Sequence, residues 1–263
     1  CARHAEDRHE NANELAADLE RVANGRPPLS RERKNRLHTL TLMAVLLLAV
    51  LVWGVYDHQR PNLKRGLVLD MALPGGMELA GPIPAVDHRD ENGTALFFDG
   101  SDDHAEMTLP EALGPDATLA VWVKSMLRET SGCIAGVFQK NEGKGVPVGM
   151  WLEARDHGKF ALRQRMPGDE VLPPEAVSDI TLKGDGTWHL LVGVSDGGQL
   201  RLYVDGRLQQ ITAEVTPLAV HDGKIRLGHD GAEAVFRGGI GRVWVFNRAL
   251  SETESRLLFD QQQ

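Results

Sequence analysis

The pattern of apolar and polar residues is clearest between residues 186 and 207. Apolar residues from Trp188 to Val194 precede Asp196-Gly197-Gly198, whose residue types tolerate the positive φ of a tight turn. The run that follows alternates, so one side of it is apolar and the other is polar or aromatic. The apolar side consists of Leu200, Leu202 and Val204, and the other side of Arg201 and Tyr203. The pattern predicts a β-hairpin, and its apolar side implies a sheet that packs against a second layer.

Shorter runs of the same kind recur from residue 66 to residue 246, separated by Gly, Pro, Asp and Asn. The runs that we expect to be strands, besides the hairpin, are 67–73, 94–98, 118–123, 133–138, 148–152, 160–165, 180–182, 211–215, 225–228 and 239–246. A spacing of about ten residues with turn chemistry between the runs is typical of a β-sandwich. The large rings of Trp122 and Trp188 suit the core of such a sandwich. After the last run, Ser251 and Glu254 form a capping-box pattern, which predicts a short helix near residues 251–259.

A long apolar segment lies before the sandwich, at residues 37–56, and its central part, residues 40–55, contains no charged side chain. About 20 apolar residues are enough to cross a hydrocarbon core of roughly 30 Å. Trp53 and Tyr56 lie at the far end, where aromatic side chains favour the membrane interface. A cleaved signal peptide is the competing interpretation, but no small-residue cleavage site follows Trp53. The segment therefore predicts one transmembrane helix.

The N-terminal residues 1–26 are polar, with a narrow apolar stripe at helical spacing formed by Ala12, Leu15, Ala16, Leu19 and Val22. Two interpretations stay open: a solvated helix of marginal stability, or a helix that docks on the cytoplasmic surface of a partner. Basic residues are more numerous before the apolar segment than after it, which places the N-terminus in the cytoplasm. A lipid on Cys1 would lie on the opposite face, so we do not expect lipidation.

These patterns predict four regions along the chain. Residues 1–36 form a cytoplasmic polar and helical tail, residues 37–56 a transmembrane helix, residues 57–65 a tether, and residues 66–263 the sandwich. The expected location is the inner membrane of a bacterial cell, with a single span and the sandwich on the periplasmic or extracellular side.

Composition narrows the function classes. The chain has 263 residues and a formal net charge of −8, which argues against nucleic acid as a main partner because no basic stripe accompanies the folded part. Cys1 and Cys133 lie on either side of the apolar segment, so we expect no disulfide between them, and we expect Cys133 to be a small buried apolar residue. The histidines show no clustering, and no Ser-His-Asp set, phosphate loop or dinucleotide fingerprint is present in the sequence.

Five sequence segments, in the same order along the chain, resemble the laminin G-like, concanavalin A-like lectin/glucanase domain. They are residues 95–104, 120–124, 188–194, 200–206 and 236–252. The resemblance covers about residues 66–260. It implies a mainly β fold, a jelly-roll β-sandwich of two antiparallel sheets. We expect one transmembrane helix and a short helical N-terminal tail to precede that sandwich.

The resemblance also implies a calcium site at the rim of the sandwich, because domains of this family often hold Ca²⁺ there through Asp carboxylates. Asp99, Asp102 and Asp103 are the donors that the matching segment offers. The family commonly has an Asp-Glu pair near the last strand, and this chain has Gly241-Arg242 instead, which removes a ligand and adds a cation. Turn chemistry at Asp99-Gly100 is the alternative explanation. No other cofactor is expected.

Two binding functions are consistent with this sequence. The first is a non-catalytic membrane subunit whose sandwich docks on or braces a larger membrane protein complex, such as a photosynthetic reaction centre with its antenna or a respiratory assembly. Its partners would be the lipid bilayer and other membrane protein subunits. The second is a membrane-anchored, lectin-like module that binds carbohydrate. Trp151 and Trp244 are its candidate surface aromatics, although burial in the core is the favoured explanation of both.

A third function, glycoside hydrolysis, has less support from the sequence. A retaining enzyme needs two carboxylates about 5 Å apart, and enzymes of this fold carry them at alternate positions of one strand. No Glu-x-Asp-x-Glu run lies on a predicted strand here. Glu153 with Asp156, and Asp169-Glu170, lie in turn-like sequence and are interpreted as solvated loop acids. We therefore expect no enzymatic activity.

Overall fold

The structure of the chain is a computed structural model, and the residues that it describes fall into two compact units, Cys1–Arg60 and Pro61–Gln263. The described residues are 12–28, 39–52, 61–73, 76–81, 83–86, 94–125, 131–139, 148–168, 172–179, 186–212, 214–230 and 235–261. Residues 61–65, which we expected to be part of a tether, belong to the second unit together with the sandwich.

The first unit contains two helical segments. Helix α1 spans Ala12–Ala23, as the apolar stripe predicts, and the chain leaves it at Gly25, which has a φ of 73°. Residues 39–52 are also helical and are called α2. Among the described residues, none of the helices has both the length and the apolar character needed to cross a membrane. Residues 37–38 and 53–56 of the predicted span lie outside the described part, so the transmembrane helix stays a prediction.

The second unit is a mainly β sandwich of two antiparallel sheets, as predicted. Among the described residues, eight strands form the first sheet, in the order β13-β12-β11-β6-β15-β4-β3, with β1 also paired to β15. Their bounds are β1 Leu67–Met71, β3 Ile83–Val86, β4 Thr94–Asp99, β6 Ala117–Ser125, β11 Trp188–Asp196, β12 Gln199–Val204, β13 Arg207–Thr212 and β15 Arg237–Phe246.

The second sheet lies across the core from the first. Seven strands of the described chain form it, in the order β10-β9-β8-β7-β14-β5-β2. Their bounds are β2 Glu78–Ala80, β5 His104–Thr108, β7 Gly132–Phe138, β8 Gly149–Arg155, β9 Lys159–Arg165, β10 Glu175–Val177 and β14 Lys224–Leu227. A 3-10 turn at Asp156–Gly158 joins β8 to β9. The predicted run 180–182 lies outside the described residues.

The predicted hairpin is confirmed as β11 and β12. Asp196 pairs with Gln199, and the two glycines between them have φ values of 54° and 116°, which only a residue without a Cβ adopts easily. The apolar side of β12 faces the core between the sheets, whereas Tyr203 lies on the outer face of the first sheet. At Gly193 of β11 an added Cβ would lie 2.5 Å from Leu162 of β9, so the two sheets approach closely there.

The outer face of the first sheet carries a second apolar cluster under helix α3, which spans Glu252–Asp260. The capping box of Ser251 and Glu254 begins this helix, as predicted. Trp122 and Trp188, which we expected in the core of the sandwich, belong to this outer cluster, and the ring of Trp122 lies 5.8 Å from that of Phe259. That expectation was wrong because α3 buries a sheet face that would otherwise be in contact with water.

Candidate functional site

The outer face of the second sheet carries the best-formed polar site of the described residues. Side chains alternate along β8, so Met150 and Leu152 point into the core whereas Trp151 and Glu153 point outward. Arg163 lies opposite Trp151 on β9, and Glu175 lies opposite Arg163 on β10. Three neighbouring strands therefore place an aromatic ring, two carboxylates and a guanidinium on one surface.

Hydrogen bonds and ion pairs join these side chains into one continuous set. Trp151 donates from Nε1 to Oε2 of Glu153 at 2.9 Å. Arg163 lies between the two carboxylates, with Nε 3.2 Å from Oε1 of Glu153 and Nη2 2.7 Å from Oε2 of Glu175. Arg155 donates from Nη1 to Glu175 and lies 3.5 Å from Glu153. We call the residues Trp151, Glu153, Arg155, Arg163 and Glu175 the Glu153 network.

Glu153 is the most perturbed acid of this network. It is 9% exposed, and burial raises the pKa of its carboxyl above the ordinary value, because a charge is poorly solvated there. The hydrogen bond from Trp151 and the charges of Arg163 and Arg155 oppose this rise in the pKa, and the charge of Glu175 adds to it. The network thus places a carboxyl with a raised pKa beside two cations.

Aromatic and small residues form the surface next to the network. The ring of Phe138 lies 6.0 Å from that of Trp151, and both pack with the buried Cys133, whose thiol is free, as expected for a small apolar residue. Burial raises the pKa of this thiol well above its ordinary value. Between the rings lies Gly136, where an added Cβ would be 2.4 Å from the Phe138 ring. Glycine at this position therefore lets the rings pack directly on the sheet.

A second group of charges lies on the same face, on β5 and β14. Glu106 accepts from Lys224 and from Nε of Arg226 at 3.2 Å, and the guanidinium of Arg226 lies 5.8 Å from the centre of the Phe138 ring. The bond from Lys224 lowers the pKa of Glu106, and it outweighs the opposing effect of burial. The face thus has charged groups on both sides of its aromatic centre.

The tryptophans that we proposed as surface aromatics are not exposed. Trp151 and Trp244 lie on the outer faces of the second and first sheets, respectively, and each is 4% exposed. The expectation of a free aromatic platform is wrong for both rings. Trp151 nevertheless lies within the Glu153 network, whereas Trp244 packs under helix α3 with the guanidinium of Arg242 5.4 Å from its ring centre.

Glu153 is not the solvated loop acid that we expected, because it lies within β8 and is largely buried. Its partners Arg163 and Glu175 were not identified from the sequence. They come from β9 and β10, and only the register of the three strands brings them together. The alternation of Trp151, Glu153 and Arg155 at every second position was the available signal for one charged face.

The predicted calcium donors come together at the turn between β4 and β5. One ligand oxygen from each of Asp99, Asp102 and Asp103 lies within 4.8 Å of the others. Two of their oxygens are used in the turn, since Asp103 accepts from the Asp99 N–H at 2.7 Å and Asp99 accepts from the Ser101 N–H at 2.8 Å. The remaining carboxylate oxygens are hard donors of the kind that Ca²⁺ prefers, so the residues fit this ion by donor type. Calcium binding here stays a prediction.

Two histidines that are far apart in the sequence lie beside this turn. The rings of His104 and His229 are 6.0 Å apart, and Nδ1 of His104 is 3.0 Å from the carbonyl oxygen of Asp102. The pairing of β5 with β14 places both rings at one end of the second sheet, so the structure corrects our expectation that the histidines are scattered.

Three solved structures have the same fold at low sequence identity. The binding domain of botulinum neurotoxin serotype D has a TM-score of 0.57 and 15% identity, covering 75% of this chain and 51% of its own. A heptameric SAP-like pentraxin from Limulus polyphemus has a TM-score of 0.53 and 16% identity, and the match covers 66% of this chain and 84% of the pentraxin. The third structure is domain 4 of AbnA, an extracellular arabinanase from Geobacillus stearothermophilus, in complex with arabinotriose. It has a TM-score of 0.50 and 16% identity, and the match covers 70% of this chain and 82% of the AbnA domain.

The chain thus spans about half the length of the toxin domain, and these likenesses establish the fold alone. No curated protein matches the sequence. Residues 99–254, which are more than half of the chain, match the laminin G-like family model described as the concanavalin A-like lectin/glucanases superfamily. The chain belongs to this family.

Proposed function

We propose that this protein is a non-catalytic binding module that recognises carbohydrate on the outer face of its second sheet. The observation that carries the proposal is the Glu153 network, in which two carboxylates and two guanidinium groups are held in place by one another. Sugar hydroxyls both donate and accept hydrogen bonds, so such a set of fixed acceptors and donors suits them. The arabinotriose complex of the AbnA domain supports the same ligand class.

The position of Arg163 supports binding without catalysis. A retaining glycosidase needs an open space between its two carboxylates for the scissile bond. In this network the guanidinium of Arg163 lies between them, within 3.2 Å of Glu153 and 2.7 Å of Glu175. A substrate at this position would have to displace the guanidinium of Arg163 from both carboxylates. Breaking these two ion pairs costs more than the roughly 1.5–3 kcal/mol that one new charge-assisted hydrogen bond to the substrate would return.

A glycan array probed with the full chain, followed by calorimetry with arabinotriose and the strongest array ligand, tests the proposal. We expect binding that Arg155→Gln weakens at least about tenfold, since it removes a charge-assisted donor at the more exposed edge of the network. Arg201→Gln is the matched control, because Arg201 is also a paired arginine on a strand but lies on the first sheet. Lack of binding to any glycan, or equal loss in both variants, would contradict the proposal, and turnover of a bound glycan would contradict its non-catalytic part.

We propose in addition that the chain is attached to a membrane and contacts other membrane proteins there. In α2 the large apolar side chains are exposed on all sides of the helix, from 56% for Met43 to 68% for Val50. Burying such a side chain is worth about 1.5–3 kcal/mol, so a helix that is apolar all round favours a bilayer or a protein partner as its surroundings.

Extraction of membranes with alkaline carbonate tests attachment. We expect the full chain to stay in the pellet and a variant lacking residues 37–56 to be released. Purification in mild detergent after cross-linking in the membrane then tests for partners. Release of the full chain by carbonate would refute the attachment, and a monodisperse monomer without cross-linked neighbours would refute the docking role.

A further inference from the structure

The outer face of the first sheet contains a cavity that neither proposed function uses. It has a volume of about 340 Å³ and lies between the segment that begins at Pro61, strands β1 and β15, and the last turn of α3. The Glu153 network lies on the other sheet, on the opposite side of the core. The volume lies in the range of about 300–1,000 Å³ that is usual for small-molecule sites.

The inner part of this cavity is apolar. Trp244 and Phe246 of β15 and Leu258 of α3 are buried and lie beneath the cavity, and the half-buried Leu257 of α3 forms one of its walls. Leu63 and Leu67 form the wall on the side of the N-terminal segment and are half-buried. Aromatic and aliphatic groups on three sides favour an apolar ligand group over water.

The mouth of the cavity is polar and carries a net positive charge. Arg242 is held by Asp70 through two hydrogen bonds, from Nε to Oδ1 at 2.7 Å and from Nη2 to Oδ2 at 3.0 Å. Its guanidinium also lies over the ring of Trp244. A guanidinium has five N–H donors and Asp70 accepts from two of them, so within the described part of the chain further donors are left for a ligand. Lys64 adds a second cation to the mouth, against the single acid Asp70.

We propose that this cavity binds a single-chain amphiphile with an anionic head group. The chain of the amphiphile would lie against Leu63, Leu67 and Leu257, and its head group would accept hydrogen bonds from Arg242 and Lys64. Asp70 fixes the guanidinium before the ligand arrives, so little side-chain entropy is lost on binding. The proposal is independent of carbohydrate binding, which uses the other sheet.

Photolabelling with dodecanoate that carries a diazirine near the end of its chain tests the proposal on the full chain in phosphatidylcholine nanodiscs. We expect the label within residues 61–70 and 240–261, and we expect unlabelled dodecanoate to compete at least about tenfold better than dodecanol, because the charge-assisted bonds require the anion. Arg242→Gln should lower this labelling, whereas Arg256→Gln removes the same charge from α3 outside the cavity and should not.

A second variant tests space instead of charge. Leu257→Trp places a larger side chain at the wall of the cavity and should also reduce the label, with a melting curve to show that the variant folds. The proposal is overturned if dodecanol competes as well as dodecanoate, or if Arg242→Gln and Arg256→Gln label equally. Nanodiscs that contain lysophosphatidylglycerol, an anionic lipid with one acyl chain, identify the source: competition by this lipid indicates a membrane lipid, and labelling that persists indicates a free fatty acid, both in support of the site.

Discussion

Replacing Arg248 by Met should destabilise the sandwich at one particular place, where the chain enters it. The guanidinium of Arg248 donates from Nε to the carbonyl of Arg65 at 2.7 Å and from Nη2 to that of Asn62 at 2.9 Å. It also binds both carboxylate oxygens of Glu254, at 2.9 and 2.7 Å. One side chain therefore joins the segment before β1 to the start of α3. Methionine keeps most of the apolar stem and removes these four bonds.

The expected loss in the free energy of unfolding lies between two reference cases. An exposed ion pair is worth about 0–1 kcal/mol, and breaking a buried one costs about 3–5 kcal/mol. The side chains of Arg248 and Glu254 are 20% and 12% exposed, which is closer to the buried case. The bonds to the two carbonyls are lost as well. We therefore expect Arg248→Met to lower the free energy of unfolding by about 2–3 kcal/mol at neutral pH.

The pH dependence gives a sharper form of the same prediction. Burial opposes ionisation of Glu254, but the hydrogen bonds from Arg248 and Ser251 outweigh it and lower the pKa of Glu254 to about 2 from 4.5. Because the pKa of Glu254 is lower in the folded state than in the unfolded chain, its ionised form stabilises the fold at pH values above about 4.5. This stability is lost as the pH falls from about 4.5 towards 2. Solvent screening reduces the effect to about 1–2 kcal/mol. The cost of Arg248→Met should shrink accordingly in acid.

Urea unfolding of the full chain in mild detergent, followed by tryptophan fluorescence at pH 7 and pH 3, measures both quantities. The difference between wild type and Arg248→Met should fall by about a third between the two pH values, because Glu254 is only partly protonated at pH 3. Arg256→Met is the control, because this arginine is 76% exposed on the same helix and should change stability by less than about 0.5 kcal/mol. A cost for Arg248→Met as small as that of the control, or one that is the same at both pH values, would refute the reasoning.

Three further substitutions test the site and the rim. In urea melts, the stability of Glu153→Gln relative to wild type should increase as the pH rises from 4 to 7. Burial raises the pKa of Glu153, so ionisation of this carboxyl at higher pH destabilises the wild type, whereas Gln carries no charge. A stability difference that does not change with pH would contradict this. Gly136→Ala should lower stability by about 1–3 kcal/mol in the same assay, since its Cβ would lie 2.4 Å from the Phe138 ring, and an unchanged midpoint would show that the rings can move. Asp103→Ala should cost about 1–3 kcal/mol with or without calcium, because the Asp99 N–H loses its acceptor; a cost seen only with calcium would indicate metal binding instead of turn chemistry.

The sequence predicted the strands that have strong patterns of their own and missed those that depend on neighbours. The hairpin of β11 and β12 and the capped helix α3 were found, because alternation, turn glycines and the capping box are local signals. Strand β5 has only two apolar residues on its inner side and follows an Asp-rich turn, so its pattern resembles a loop. It is a strand because β14 and β2 pair with it on both sides.

The roles of the two sheet faces could not be assigned from the sequence for a related reason. From Leu119 to Val123 of β6 every side chain is apolar. The strand therefore shows no alternation that would distinguish the face toward the core from the face covered by a helix. Trp122 was therefore assigned to the wrong layer. The Glu153 network was missed because it is formed by residues of three strands, and the pattern of one strand alone does not give the register between strands, which also depends on the turns that join them.

The two outer faces of the sandwich are covered by different groups, and this difference determines which kind of ligand each face can bind. On the first sheet, α3 and residues 61–67 cover the apolar cluster and leave a cavity above Trp244. On the second sheet, charged side chains pack over the aromatic centre, as Arg226 does over Phe138. The first arrangement favours an apolar ligand that enters between elements, and the second favours a polar ligand that exchanges hydrogen bonds with fixed charges. Because Arg248 holds Asn62 and Arg65 in place, Arg248→Met should weaken binding in the cavity and leave binding at the Glu153 network unchanged.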